Sequence, residues 1–93
     1  MKLRKPNNFG TDVTTTSSVL LSANSLRKHV TIINSSDTNI WIGFGQAAVV
    51  GQGIFLEANG GAYEIDGHNL YVGEIQAIHA GVGSKKCVGL ELS

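Results

Sequence analysis

Residue types able to do chemistry are spread thinly along this 93-residue chain. They are His29, His68 and His79, the thiol of Cys87, the carboxylates Glu64 and Asp66, the aromatics Trp41, Tyr63 and Tyr71, and the basic start Lys2, Arg4, Lys5. Gly43-Phe44-Gly45 and Gly51-Gln52-Gly53 invite a phosphate-loop reading. A dinucleotide fingerprint needs a third glycine and a helix whose amides meet the pyrophosphate. Neither step has them, so strand ends and bulges explain these glycines better. The histidines match no zinc spacing, and Cys87 lies far from two of them along the chain. Surface or edge positions are expected for them, and no metal or cofactor is expected. Glu64 and Asp66 share a strand face, as an acid/base pair would. No second catalytic group accompanies them, and a solvated sheet face accounts for the pair. No Ser or Cys stands in a nucleophile elbow or beside a histidine. A non-enzymatic protein is expected.

The aromatics offer two readings. Trp41, Tyr63 and Tyr71 can form a sugar-stacking platform or serve packing and subunit contact, with Trp41 and Tyr71 the candidates for exposed contacts. The basic leader has no interleaved aromatics and makes a thin nucleic-acid footprint. Docking on an acidic protein surface suits it equally, and no direct nucleic-acid contact is expected. Charge is unevenly divided. Lys2, Arg4, Lys5, Arg27 and Lys28 face only Asp12 in residues 1–28, whereas acids outnumber Lys85 and Lys86 in residues 29–93.

These side chains must be positioned by strands. In residues 29–45, HVTIIN and NIWIGF alternate apolar and opposite-face residues around a polar stretch, Asn34 to Asn39. The pattern predicts an antiparallel hairpin. Further short strands are expected at Ile54 to Glu57, Ala62 to Asp66, Leu70 to His79 with a bulge at Gly73, and Cys87 to Leu92 with Val88, Leu90 and Leu92 inward. Gln46 to Gly53 reads as a loop. Turn signals recur at roughly eight to twelve residues, the spacing of a sandwich or barrel. The expected fold is therefore all-β: a small antiparallel β-sandwich, jelly-roll-like, with its core at Val30, Ile32, Ile40, Ile42, Phe44, Ile65, Val72, Ile75, Val88 and Leu90.

Residues 1–25 are expected to be an extended N-terminal arm and residues 26–93 the sandwich domain. Pro6 is expected to block regular pairing, and the Thr/Ser tract Asp12 to Ser18 to add to the sheet edge of another chain. Lys2, Arg4, Lys5, Thr14, Thr15 and Thr16 are then the partner-binding residues. Only 15% of residues are charged, which suits a surface partly covered by partners. A lone cysteine excludes an intramolecular disulfide. MKLRKPNNFG has no apolar run after its basic residues, so neither a signal peptide nor a membrane segment is expected.

Three pieces occur together in order: Ile40-Trp41-Ile42-Gly43-Phe44-Gly45, then Gly53-Ile54 through Leu56 to Gly60, then Gly73-Glu74-Ile75-Gln76-Ala77-Ile78-His79-Ala80-Gly81. This order resembles small β-sandwich virion proteins of tailed bacteriophages, which decorate or cement capsids or form the base of head fibres. The likeness spans about three-quarters of the chain and rests on structural glycines and alternating apolar residues. It implies a non-enzymatic virion structural protein, a homotrimer made in the host cytoplasm. Its partner would be the major capsid protein or another virion protein, bridged so that the head is stabilised. A host-recognition or fibre-type carbohydrate-binding module is the alternative.

Overall fold

The computed structural model describes residues 5–93. Eight strands follow one another: β1 (Pro6–Val13), β2 (Ser18–Leu21), β3 (His29–Asn34), β4 (Ile40–Phe44), β5 (Ile54–Leu56), β6 (Ala62–Ile65), β7 (Ile75–His79) and β8 (Lys85–Leu92). The described residues contain no helix. One sheet has the order β1-β8-β3-β6 and the other β2-β7-β4-β5, every pair antiparallel. First strand pairs with last, second with seventh, third with sixth and fourth with fifth. That nesting is an eight-stranded jelly roll, and the all-β sandwich expected from the sequence is present.

The expected hairpin over residues 29–45 is not. β3 and β4 lie in different sheets. Each strand carries one strongly apolar face, Val30 and Ile32 on β3, Ile40 and Ile42 on β4, and all four side chains are fully buried. Facing sheets about 10 Å apart bury both faces against each other. Asn34 shapes the crossing between them. Its Nδ2 donates to the carbonyls of Thr38 (2.8 Å) and Leu56 (3.0 Å), while its Oδ1 accepts the Ser36 amide (3.0 Å) and hydroxyl (2.7 Å).

The arm is corrected as well. Residues 6–13 pair with β8 of the same chain in an unbroken register from Pro6↔Leu92 to Val13↔Lys85, and β2 pairs with β7. Val13, Leu20 and Leu21 belong to the core. The boundary at residue 25 therefore falls inside the sandwich. Pro6 does not interrupt the ladder. Lys5 and Ser93 exchange backbone bonds (2.7 and 3.0 Å), which sets the phase so that the missing N–H of Pro6 faces away from β8. Residues 6–13 fold because their own β8 supplies the edge that a partner was expected to supply.

Strand β8 takes the opposite face from the one expected. Cys87 and Glu91 point inward and are buried, whereas Val88, Leu90 and Leu92 are half-buried on the outer side. Between the inward pair, a Cβ at Gly89 would collide with the Thr31 carbonyl oxygen and the Phe9 ring, so the ring occupies the space the glycine leaves. Glu91 is inward because it meets Arg27. The fully buried guanidinium donates Nε to Glu91 Oε2 (2.6 Å), Nη1 to the carbonyls of Tyr71 (2.8 Å) and Gly73 (3.1 Å), and Nη2 to Ser22 (2.7 Å). With those carbonyls committed to Arg27, residues 70–74 form an irregular segment instead of the expected longer strand, and Leu70 and Val72 are exposed. Of the expected core, Phe44 is half-buried against the cluster, and Val30, Ile32, Ile40, Ile42, Ile65 and Ile75 are fully buried.

Two outcomes follow from this packing. Arg27→Ala should destabilise the protein by about 3–5 kcal/mol in urea melts, because it strands the buried Glu91 carboxylate. Arg27→Lys should not restore the loss, since an ammonium cannot serve three directions of the planar fork. Deleting residues 1–18 removes β1 and the buried Val13, so the remainder should lose its cooperative melting transition; an unchanged melt would mean that β1 is dispensable.

Candidate interaction surface

The outer face of the β2 sheet is built from alternate residues of its strands. Trp41 on β4 stands opposite Phe55 on β5 and Ile78 on β7, giving a row Ile78–Trp41–Phe55 across three strands. The Trp41 and Phe55 rings are tilted by 49° with centroids 5.4 Å apart. Phe55 is 50% exposed, and Val19 on the edge strand is also exposed. None of the four strands, SVLL, IWIGF, IFL and IQAIH, contains Lys, Arg, Asp or Glu. The opposite sheet carries Asp12, Glu64, Lys85, Lys86 and Glu91 on its strands. Depletion of charge with enrichment of aromatics is the composition of an interface core.

Two features frame the row. Residues 46–48 fold back over Gly43, where a Cβ would stand 3.1 Å from the Ala48 Cα and 3.2 Å from two carbonyl oxygens. The return is pinned by Ser17, whose Oγ accepts the Ala48 amide (2.8 Å) and donates to Gln76 Oε1 (2.8 Å); Gln76 in turn donates to Glu74 (2.8 Å). The loop presents Val49 and Val50 to solvent and roofs a cavity of about 310 Å³. On the other side of Trp41 lies a shallow hollow of about 260 Å³, lined by Thr38, Asn39, Trp41, Ala80 and Gly81.

The other residues singled out in the sequence serve the fold. Tyr71 is half-buried, as Trp41 is: it stacks on Phe44 at 5.1 Å, and its hydroxyl donates to the Glu74 carbonyl (3.2 Å). Tyr63 packs on the same Phe44 ring, away from Trp41, so the three aromatics form no common platform. His79 is buried, contrary to the surface position expected. Its Nε2 lies 2.7 Å from the Gly83 carbonyl and its Nδ1 accepts the Gly81 amide (3.0 Å), which places the ring proton on Nε2 and ties the β7–β8 turn. His29 lies 3.4 Å from Glu64, and Asp66 accepts the His68 amide (2.8 Å). Among the described residues no cluster of His, Cys, Asp or Glu is arranged to hold a metal ion.

Lys2 and Arg4 lie outside the described residues. Lys5 is exposed, with its backbone on Ser93. Thr14, Thr15 and Thr16 form the β1–β2 turn, where the Thr14 carbonyl accepts the His79 amide (3.1 Å) and its hydroxyl accepts the Thr16 amide (3.2 Å). Of the site residues expected from sequence, only Trp41 stands on the aromatic face. Phe55 and Ile78 were missed because cross-strand neighbours depend on register, which the sequence does not display. No family model, curated protein or solved structure matches this chain.

Cys87 is fully enclosed, and burial pushes its thiol up to about 12. It should resist alkylation in the native protein and react only on unfolding. Between pH 9.0 and about 12 the unfolded thiol ionises while the folded one keeps its proton. Folding then binds more protons than unfolding, so stability falls as pH rises through that window. Melts of the wild type should lose ground to Cys87→Ala across it; parallel pH profiles would contradict the assignment.

Proposed function

We propose that this protein is a non-enzymatic structural component of a virus particle that attaches to capsid or other virion proteins and stabilises the head. The observation that carries the reading is the uncharged outer face of the β2 sheet with its row Ile78–Trp41–Phe55. Such a face adds association free energy by removing apolar area from water, at about 25 cal/mol per Å² before the costs of association. The jelly roll lends support by analogy, since that architecture builds viral capsid and lectin domains. The side chains able to do chemistry favour the same reading: Cys87 is held neutral and both ring nitrogens of His79 are engaged. Attachment through a sheet face takes the place of attachment through an N-terminal arm.

The test uses expanded empty capsids of a tailed phage, the class of particle that the family resemblance implies. Added protein should bind and raise the temperature of capsid disruption. Phe55→Lys, at an exposed position, should keep the isolated protein's melting point and abolish both effects. Absence of binding by the wild type would overturn the proposal.

The hollow beside Trp41, rimmed by Thr38 and Asn39, favours the second reading, a carbohydrate-binding module. An aromatic face with adjacent polar groups suits a sugar ring. On a glycan array this reading requires a signal that Trp41→Ala removes, and a flat response disposes of it.

A further inference from the structure

The two sheets have four edge strands: β1 and β6 in one, β2 and β5 in the other. Unpaired edges invite pairing with another chain, and folded proteins blunt them by shortness, bulges or covering groups. Three of the four are blunted here. β5 has three residues. β2 has four, its register breaks between Val19 and Leu21, and the Leu20 carbonyl accepts the Thr11 hydroxyl (3.1 Å). On β6 the Glu64 carbonyl accepts Asn69 Nδ2 (3.0 Å), and the Asp66 amide just beyond the strand donates to Asn69 Oδ1 (2.7 Å).

β1 is neither short, bulged nor covered; its Pro6 stands at the strand start, and the charge of Asp12 is paired with Lys86 (2.9 Å). It runs for eight residues without a bulge. The reciprocal Lys5–Ser93 bonds set the alternation, so Asn7, Phe9, Thr11 and Val13 bond to β8. Asn8, Gly10 and Asp12 turn their N–H and C=O groups to the open side, and Pro6 turns its carbonyl. No described residue pairs with that side.

We propose that β1 is the contact through which two copies of this chain join, antiparallel and centred on Gly10. A twofold axis at Gly10 makes the register self-complementary. Gly10 faces Gly10, and Asn8 faces Asp12 on both sides of the axis. Each Asn8 amide then has the second oxygen of an Asp12 carboxylate, whose Oδ1 holds Lys86 Nζ at 2.9 Å; no like charges stand opposite, and Pro6 falls beyond the partner strand's end. Every open N–H of Asn8, Gly10 and Asp12 finds a carbonyl. A foreign strand could use the same edge, but the second copy brings this matched register with it. The result is one sheet running through both copies, twofold in place of the trimer implied by the family resemblance. It stands independently of the virion role.

Light scattering at high micromolar concentration should give twice the chain mass. Gly10→Lys tests the axis: a Cβ there has ordinary room, 3.5 and 3.6 Å from the Lys86 and Val88 side chains. The variant should fold and be monomeric, because its two new ammonium groups meet at the axis. Asn8→Asp sets a second carboxylate against Asp12 without touching the β8 ladder and should raise the dimer dissociation constant by about tenfold. A wild type of monomeric or trimeric mass, or a Gly10→Lys variant that stays dimeric, overturns the proposal. Should Gly10→Lys melt early, amide exchange in the wild type decides. Slow exchange at Asn8, Gly10 and Asp12 that speeds up on dilution supports the pairing, and fast exchange at every concentration overturns it.

Discussion

The Arg27 guanidinium is the point on which one end of the sandwich converges. It draws in the Glu91 carboxylate and three backbone carbonyls from two segments that have no strand partners of their own, around Ser22 and around Tyr71 to Gly73. A buried ion pair gains Coulomb energy in a low dielectric but loses the hydration of both ions, and the two terms nearly cancel. Its value is therefore in specification more than in net stability. Strand side chains alternate, so a slip of one residue in β8 would expel Glu91 and Cys87 and turn Leu90 inward. Leaving Arg27 buried without its carboxylate is the costly state, and that cost selects the observed phase.

Asn34 plays the matching part at another corner, where the chain passes from one sheet to the other. One fully buried amide serves two carbonyls and accepts from Ser36 twice. Among the described residues every buried side-chain polar atom has a partner. The interior thus uses its polar groups for its own closure. His79 ties a turn, and Cys87 stays protonated in an apolar setting. What the molecule offers to others lies outside: an uncharged aromatic sheet face and an open strand edge.

These two surfaces belong to different sheets. Edge pairing through β1 uses the backbone of the β1 sheet, while Trp41 and Phe55 stand on the β2 sheet. The proposed pairing at β1 would therefore leave the aromatic face of each copy outside the joint. Two linked faces bind a repetitive surface with an effective concentration that a single copy lacks, provided their spacing matches it.

The sequence alone determined the all-β class and the inward positions of Val30, Ile32, Ile40, Ile42, Ile65 and Ile75, because a period of two in Val, Ile and aromatic residues is local information. It also marked Trp41 as lying opposite the core face of its strand. Tertiary structure decided which strands meet. The residues from His29 to Gly45 suit a hairpin and a sheet-to-sheet crossing equally well by local pattern; burying two apolar faces against each other selects the crossing. Pro6 and the Thr/Ser tract look unpaired until β8 supplies an edge in the phase that leaves the proline's missing donor outside. β8 itself is ambiguous, with Val88, Leu90 and Leu92 on one face and Cys87, Gly89 and Glu91 on the other. Hydropathy favours the first set, and only the distant Arg27, with the Phe9 ring against Gly89, turns the second set inward. The row of Ile78, Trp41 and Phe55 joins residues far apart in the chain, so it exists only once register is fixed.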